Sequence, residues 1–212
     1  MRLYQSIGPN PRVATMFIAE KGMIVERVFV DIIKGENRKA EYLTRNAAGG
    51  TPCLELDTGE FLSESLAICE YLDETNASPP LIGTTPAERA QTRARVRAID
   101  QSVVVPMVNG FRSAEGLPMF KDRMLCVPEA APGNKAFARD GLAKIEAGLA
   151  DGREWIAGDR FTLADILLYC FVDFGATVGQ PVPGECAAIT AWQARTAARP
   201  SAAFSANPKN GL

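Results

Sequence analysis

The chain has 212 residues, with Lys+Arg 23, Asp+Glu 25 and a formal net charge of −2. That length fits one large domain or two small ones at about 150 residues per domain, and the near-neutral balance argues against a general nucleic-acid or anionic-lipid binder. Histidine is absent, which excludes Ser-His-Asp and Cys-His triads and His-ligated zinc.

The first 75 or so residues alternate short apolar runs with helical patterns. Leu3 to Gln5 is a short strand candidate, followed by the loop Ser6-Ile7-Gly8-Pro9-Asn10-Pro11. Asn10 before Pro11 reads as an N-cap with proline at the first helical position. Val13, Met16 and Phe17 continue at helical spacing, and Gly22 stands where a C-cap glycine belongs. Ile24 to Asp31 is β-branched and aromatic, hence strand. Arg38 to Arg45 reads as a short polar helix, and Gly49-Gly50-Thr51-Pro52 breaks the chain. Cys53–Leu56 and Phe61-Leu62 form two strands around Asp57-Thr58-Gly59-Glu60, and Ser65 to Asp73 is helical. The order β-α-β-α-β-β-α describes a small mixed α/β sandwich.

Ser78-Pro79-Pro80 to Pro86 reads as a linker. After it the strand signals stop. Residues 87–105 are rich in Ala and Arg, and Arg89, Arg93, Arg95 and Arg97 suit a solvated helix face, with a phosphate or carboxylate site as the alternative. Leu142, Ile145 and Leu149 mark another amphipathic helix. Thr162-x-x-Asp165 is a capping-box variant opening an apolar helix at Leu163. Ile189, Trp192 and Thr196 mark a last helix, ended by Arg199-Pro200. The expected division is a first domain over 1–77, a linker over 78–86 and an all-helical domain over 87–212.

The five cysteines are odd in number, widely spaced and without a C-x-x-C pair. No disulfide framework or metal site is expected, and Cys69 and Cys170 read as small buried hydrophobes. The longest apolar run, Ile166–Val172, is far short of the ~20 residues that span a bilayer. The N-terminus lacks the apolar core of a secretory signal. The expectation is a soluble cytoplasmic protein with no membrane or nucleic-acid partner.

Three loops of the first domain could carry chemistry. Ser6 to Arg12 precedes a helix whose dipole favours an anion or thiolate in front of it. Thr51-Pro52 precedes a strand, where an X-Pro bond leaves the Thr51 main chain free to pair with an extended ligand. Ser63-Glu64-Ser65 opens the next helix and offers N–H groups and a hydroxyl to a carboxylate. Each alone also reads as an ordinary cap or loop. Their occurrence in this order, in a mixed α/β unit followed by helices, is what gives them weight.

The stretches NAAGGTPCLEL from Asn46, FLSESLAICEYL from Phe61 and GDRFTLADI from Gly158, with Trp192 and ARPSA from Ala198, resemble the cytosolic glutathione transferases. LYQSIGPNPRVATMFIAEKG is similar to a bacterial subgroup, related to a yeast enzyme, that lacks the usual thiol-activating Tyr, Ser or Cys. The resemblance implies a thioredoxin-like N-terminal domain binding glutathione and an all-α C-terminal domain holding a small hydrophobic electrophile. It also implies a homodimer with a detoxifying transferase activity. By motif, the Thr51 backbone beside a cis Pro52 would pair with the cysteinyl part, and Glu64 and Ser65 would hold the γ-glutamyl end. Asp100 would reach the γ-glutamyl amine across the dimer.

The chain departs from the family at several points. Gly35-Glu36-Asn37 resembles G-E-H with Asn37 in place of the glycyl-binding His, and Gly50 stands where many members carry Lys or Arg. Asn37 and Lys39 are the remaining candidates for the glycyl carboxylate. Phe111-Arg112-Ser113 resembles F-R-H, again without His. Met107, Phe111, Arg112 and Ser113 are expected in the electrophile pocket, and either Ser6 or Asn10 would favour the thiolate. The alternative is a non-catalytic glutathione-binding or interaction protein on the same scaffold.

Overall fold

The computed structural model describes residues 1–209. The chain enters through strand β1 (Arg2–Gln5), helix α1 (Pro9–Glu20) and strand β2 (Glu26–Phe29). A 3-10 turn at Glu36–Arg38 leads into the short α2 (Ala40–Leu43). Strands β3 (Cys53–Glu55) and β4 (Phe61–Ser63) then form a hairpin, and α3 (Ser65–Thr75) follows. The four strands form one mixed sheet in the order β2-β1-β3-β4. β1 runs parallel to β2 and antiparallel to β3, and β3 runs antiparallel to β4. Leu3 and Leu54, paired in the ladder, are fully buried, as are Val13, Phe17, Ile68 and Leu72 from α1 and α3.

The helical part begins with α4 (Pro86–Ile99), passes through a π-helical turn at Asp100–Val104 and continues as α5 (Val105–Arg112). Then come α6 (Leu117–Phe120), α7 (Ala131–Leu149), α8 (Leu163–Thr177), α9 (Ala187–Ala197) and α10 (Pro200–Ala206). The mixed-sheet domain plus helical domain matches the fold class expected from the sequence. Two compact units are defined by contacts: residues 1–84 with the segment from Ala197, and Thr85–Thr196. The expected division placed everything after residue 86 in the helical domain, and its last three residues, 210–212, lie outside the described residues. The final helix α10 groups with the first unit because Arg199 holds Glu20 of α1 through a two-pronged ion pair (2.8 and 2.6 Å), joined by the Ser201 hydroxyl.

Several local expectations shift. Helix α1 starts at Pro9 with Gly8 as its N-cap, so Asn10 is a helical residue and not the cap. At the other end Gly22 takes φ 62, and its N–H and that of Met23 bond to the carbonyls of Ala19 and Ile18. This is the Schellman closure anticipated for that glycine. The segment 38–45 is a 3-10 turn and a single α-turn, not one helix. Pro200 opens α10 with proline at its first turn, where the sequence suggested only a stop.

One buried ion pair ties the first unit together. Lys21 Nζ, fully buried, donates to Asp73 Oδ1 (2.7 Å) and to the Pro79 carbonyl (2.7 Å). The same Asp73 oxygen accepts the Leu81 N–H at 3.2 Å. The ends of α1 and α3 and the start of the linker are thereby pinned at one charged node. In the second unit Asp165 does similar work. Its carboxylate accepts from the N–H groups of Ile156 and Thr162 and from the Trp192 indole, each at 2.9 Å, and from the Thr162 hydroxyl at 3.1 Å.

Candidate functional site

The N-terminus of α1 is unusual in its donors. Pro9 and Pro11 carry no N–H, so among the first three helical residues Asn10 alone offers one. Neither Gly8 nor Asn10 supplies a side-chain cap, and the helix dipole therefore faces outward uncapped. Asn10 is partly exposed. Ser6 is not: it is 2% exposed, and its hydroxyl is buried without a hydrogen-bond partner.

The loop at residues 49–52 is held from beneath. The Asn37 side-chain amide donates to the Gly49 carbonyl at 2.6 Å. The Tyr42 hydroxyl and the Asn46 amide both donate to the Gly50 carbonyl, at 2.7 and 2.9 Å. Gly49 takes φ 64, and a Cβ there would stand 2.9 Å from the Asn37 carbonyl oxygen, so only glycine fits this close approach. The Thr51–Pro52 bond is cis. Thr51 stands outside the ladder, and its main-chain N–H and C=O have no partner among the described residues.

At the start of α3, Glu64 is the N-cap, with φ 70 and ψ 118. It is the one positive-φ non-glycine residue among those described. A non-glycine residue held there costs on the order of 1–3 kcal/mol and tends to occur at functional positions. No side chain caps α3, and the first helical hydrogen bond runs from the Ile68 N–H to the Glu64 carbonyl. The N–H groups of Ser65, Leu66 and Ala67 are thus open to an anion. The Ser65 hydroxyl donates to Asn10 Oδ1 across 3.5 Å, so the open ends of α1 and α3 lie side by side. The Glu64 carboxylate is exposed.

The other candidates are placed as follows. Asn37 is buried, one of its two amide N–H donors goes to Gly49, and its amide oxygen is without a partner. Its bond to Gly49 makes Asn37 a support for the loop. Lys39 is exposed at the start of α2. In the second unit Asp100 opens the π-helical turn and pairs with Arg97 at 3.3 Å. Met107 is fully buried against Gly175, where a Cβ would meet its methyl at 2.8 Å. Ser113 is buried, and its hydroxyl accepts the Val127 N–H at 3.2 Å. Phe111 packs edge-on against Phe174 (5.1 Å between ring centroids) and Phe120 (6.0 Å). Arg112 lies over the Phe120 ring, 5.4 Å from its centroid.

Cys53, directly after the loop, is buried and its Sγ lies 3.5 Å from the Arg45 carbonyl. Burial pushes its thiol pKa up to about 11, with the nearby Glu55 adding to the rise and Arg45 opposing it. It is therefore neutral at physiological pH and not a nucleophile. Tyr42 and Asn46, which hold Gly50, escaped the sequence reading. Their signal was present only as polar residues a few positions ahead of a Gly-Gly pair.

Two models of one family match the chain, one in each half. Residues 1–74 match the glutathione S-transferase N-terminal domain and residues 133–200 match the C-terminal domain. The chain is 33% identical over 196 residues to glutathione S-transferase 2 of Saccharomyces cerevisiae, covering 92% of this chain and 84% of the relative. This protein belongs to the glutathione S-transferase family. The crystal structure of Gtt2 from Saccharomyces cerevisiae superposes with a TM-score of 0.90 at 32% identity, covering 97% of this chain and 100% of that one. A maleylacetoacetate isomerase of Pseudomonas aeruginosa is 33% identical over 153 residues, 71% of this chain and 69% of the isomerase. Glutathione is the substrate of this transferase family. Among the described residues no helix is long and apolar enough to cross a membrane.

Proposed function

We propose that this transferase is a cytoplasmic homodimer that adds the glutathione thiolate to small hydrophobic electrophiles. The observation that carries the reading is the meeting of the open ends of α1 and α3 at Asn10 and Ser65, together with the unpaired Thr51 main chain. In this reading the Ser65 hydroxyl turns from the Asn10 oxygen and, with the free N–H groups of α3, receives the γ-glutamyl carboxylate, and the Glu64 carboxylate receives the amine. Asp100 of the partner subunit assists at that amine. The Thr51 main chain pairs with the cysteinyl residue beside Pro52, and Lys39 takes the glycyl carboxylate. The sulfur then stands before α1.

Activation follows from electrostatics. A free thiol titrates near ~8.5, and the positive end of a helix together with a hydrogen-bond donor favours its thiolate. Asn10, partly exposed and with its amide nitrogen free of partners, supplies that donor. Ser6, sealed in the core, acts only through packing. The thiolate attacks an electrophilic carbon, the new S–C bond forms, and halide or a β-carbanion takes the displaced electron pair. Phe111 and Arg112 are the residues that meet the electrophile. Met107 and Ser113 back them.

The likeness to maleylacetoacetate isomerase favours a second reading, reversible addition of the same thiolate to a conjugated double bond. A conjugation assay with a chloronitrobenzene, run beside calorimetric titration with glutathione, tests the proposal. Glutathione binding with turnover supports the transferase. Binding with isomerisation of a conjugated cis acid but no conjugation supports the second reading. Binding without either reaction would identify a glutathione-binding protein, and no binding would overturn all of them.

A further inference from the structure

Arg112, like Arg27 over the Phe204 ring, lacks the carboxylate partner that several other arginines have. Arg2 faces Glu26, Arg45 faces Glu41, Arg97 faces Asp100, Arg153 faces Asp151 and Arg199 faces Glu20. Arg112 is half-buried, and no hydrogen bond or carboxylate among the described residues meets its guanidinium. Its neighbours are the Phe120 ring and the Cys126 thiol. A guanidinium withdrawn from water without a counter-charge is destabilising. Burial accordingly pulls its pKa below the usual arginine value, with Cys126 opposing. Its place at the last turn of α5 gains something from the helix dipole, but that end effect is small and would be available equally to an exposed side chain.

The surroundings show what would complete it. Phe120 touches both the guanidinium and Phe111, and Phe111 touches Phe174. The result is one contiguous cluster, cationic at one end and aromatic along the rest. Resting on the transferase reading above, we propose that Arg112 is the specificity residue of the electrophile site and that the preferred electrophile is an anionic one, a flat unsaturated or aromatic body carrying a carboxylate. The rings receive the flat body, and the planar guanidinium fork matches a carboxylate in two-point geometry. The ligand supplies the counter-charge that the chain withholds.

The probes are chloronitrobenzoate and its methyl ester, with each rate divided by the uncatalysed rate so that ring electronics cancel. The intact protein is expected to prefer the acid by about tenfold or more in kcat/KM. Arg112→Met is expected to remove that preference, chiefly through KM, and Arg112→Lys to restore part of it. Calorimetric binding of unreactive nitrobenzoate, with glutathione present, should follow the same order. Thermal unfolding of each variant separates loss of fold from loss of recognition. Equal loss of acid and ester in Arg112→Met, or preference of the intact protein for the ester, would overturn the proposal and leave the transferase reading standing. Nitrobenzoate binding that depends on Arg112 without any conjugation would do the reverse.

Discussion

The Ser65 hydroxyl lies 3.5 Å from the Asn10 amide oxygen, although the two residues belong to different helices. Neither helix has a side-chain cap. Two partial positive charges from helix ends are therefore brought together and left facing the same space. Apposed like ends are unfavourable in an empty protein, and an anionic ligand relieves them.

Glu64 sits at φ 70, where glycine is favoured over any residue with a Cβ. Glu64→Gly should therefore be more stable than Glu64→Ala by about 1 kcal/mol, the opposite of the order in ordinary helix or strand. Both should bind glutathione more weakly than the parent, because both lack the carboxylate. Chemical denaturation and calorimetry on the two variants check the two halves of this statement.

Asn37 holds the Gly49 carbonyl at 2.6 Å. Asn37→Ala should loosen the loop that presents Thr51 and raise KM for glutathione several-fold, with a smaller change in kcat. Asn37→Asp should do worse, since a carboxylate would face a carbonyl oxygen with no donor between them. Steady-state kinetics over a range of glutathione concentrations separates the two parameters.

The buried Cys53 thiol, held near pKa 11 by desolvation, gives a pH dependence with a definite sign. Its folded pKa lies above the unfolded value, so the unfolded chain releases the proton first. The associated stability is intact below about pH 8.5, the ordinary thiol value, and is lost as pH rises toward 11. The parent should lose more stability than Cys53→Ala over that interval. Equal slopes in alkaline denaturation series would show that Cys53 titrates normally.

Asp165 accepts four hydrogen bonds, from two backbone N–H groups, the Trp192 indole and the Thr162 hydroxyl. Asp165→Ala leaves these buried donors without an acceptor at about 1–3 kcal/mol for each unsatisfied group. A loss of at least about 3 kcal/mol is expected, with Asp165→Asn milder. Urea unfolding measures it directly.

Much of the fold could be read from spacing. Val13, Met16 and Phe17 fixed the buried face of α1, and the β-branched run around Val28 marked a strand. The Thr162/Asp165 pair marked the start of α8. What escaped depended on partners remote in sequence. Pro200 stops one helix and opens the next, but its grouping with the first unit comes from the Arg199–Glu20 pair, 179 residues apart. The π-helical turn at Asp100–Val104 precedes Pro106, which cannot donate to the Ser102 carbonyl. Gly141 of α7 approaches that same carbonyl so closely that a Cβ would stand 2.2 Å from it. Neither residue announces the other in the sequence.

The candidate site is legible in the same uneven way. Thr51, Pro52, Glu64 and Ser65 are marked by local motif. The motif offers Ser6 and Asn10 alike, and burial, which it does not show, is where they differ: the Ser6 hydroxyl is sealed in the core and Asn10 is partly exposed. It also placed Asn37 by correspondence with a histidine, whereas the amide turns inward to a backbone carbonyl.

The most direct measurement is the ionisation of glutathione bound to the protein, followed by the ultraviolet absorbance of the thiolate as pH is raised. The account predicts a midpoint at least about one unit below that of free glutathione, moved back upward in Asn10→Ala and unmoved in Ser6→Ala. A bound thiol that titrates where free glutathione does, or a midpoint indifferent to Asn10, would contradict it.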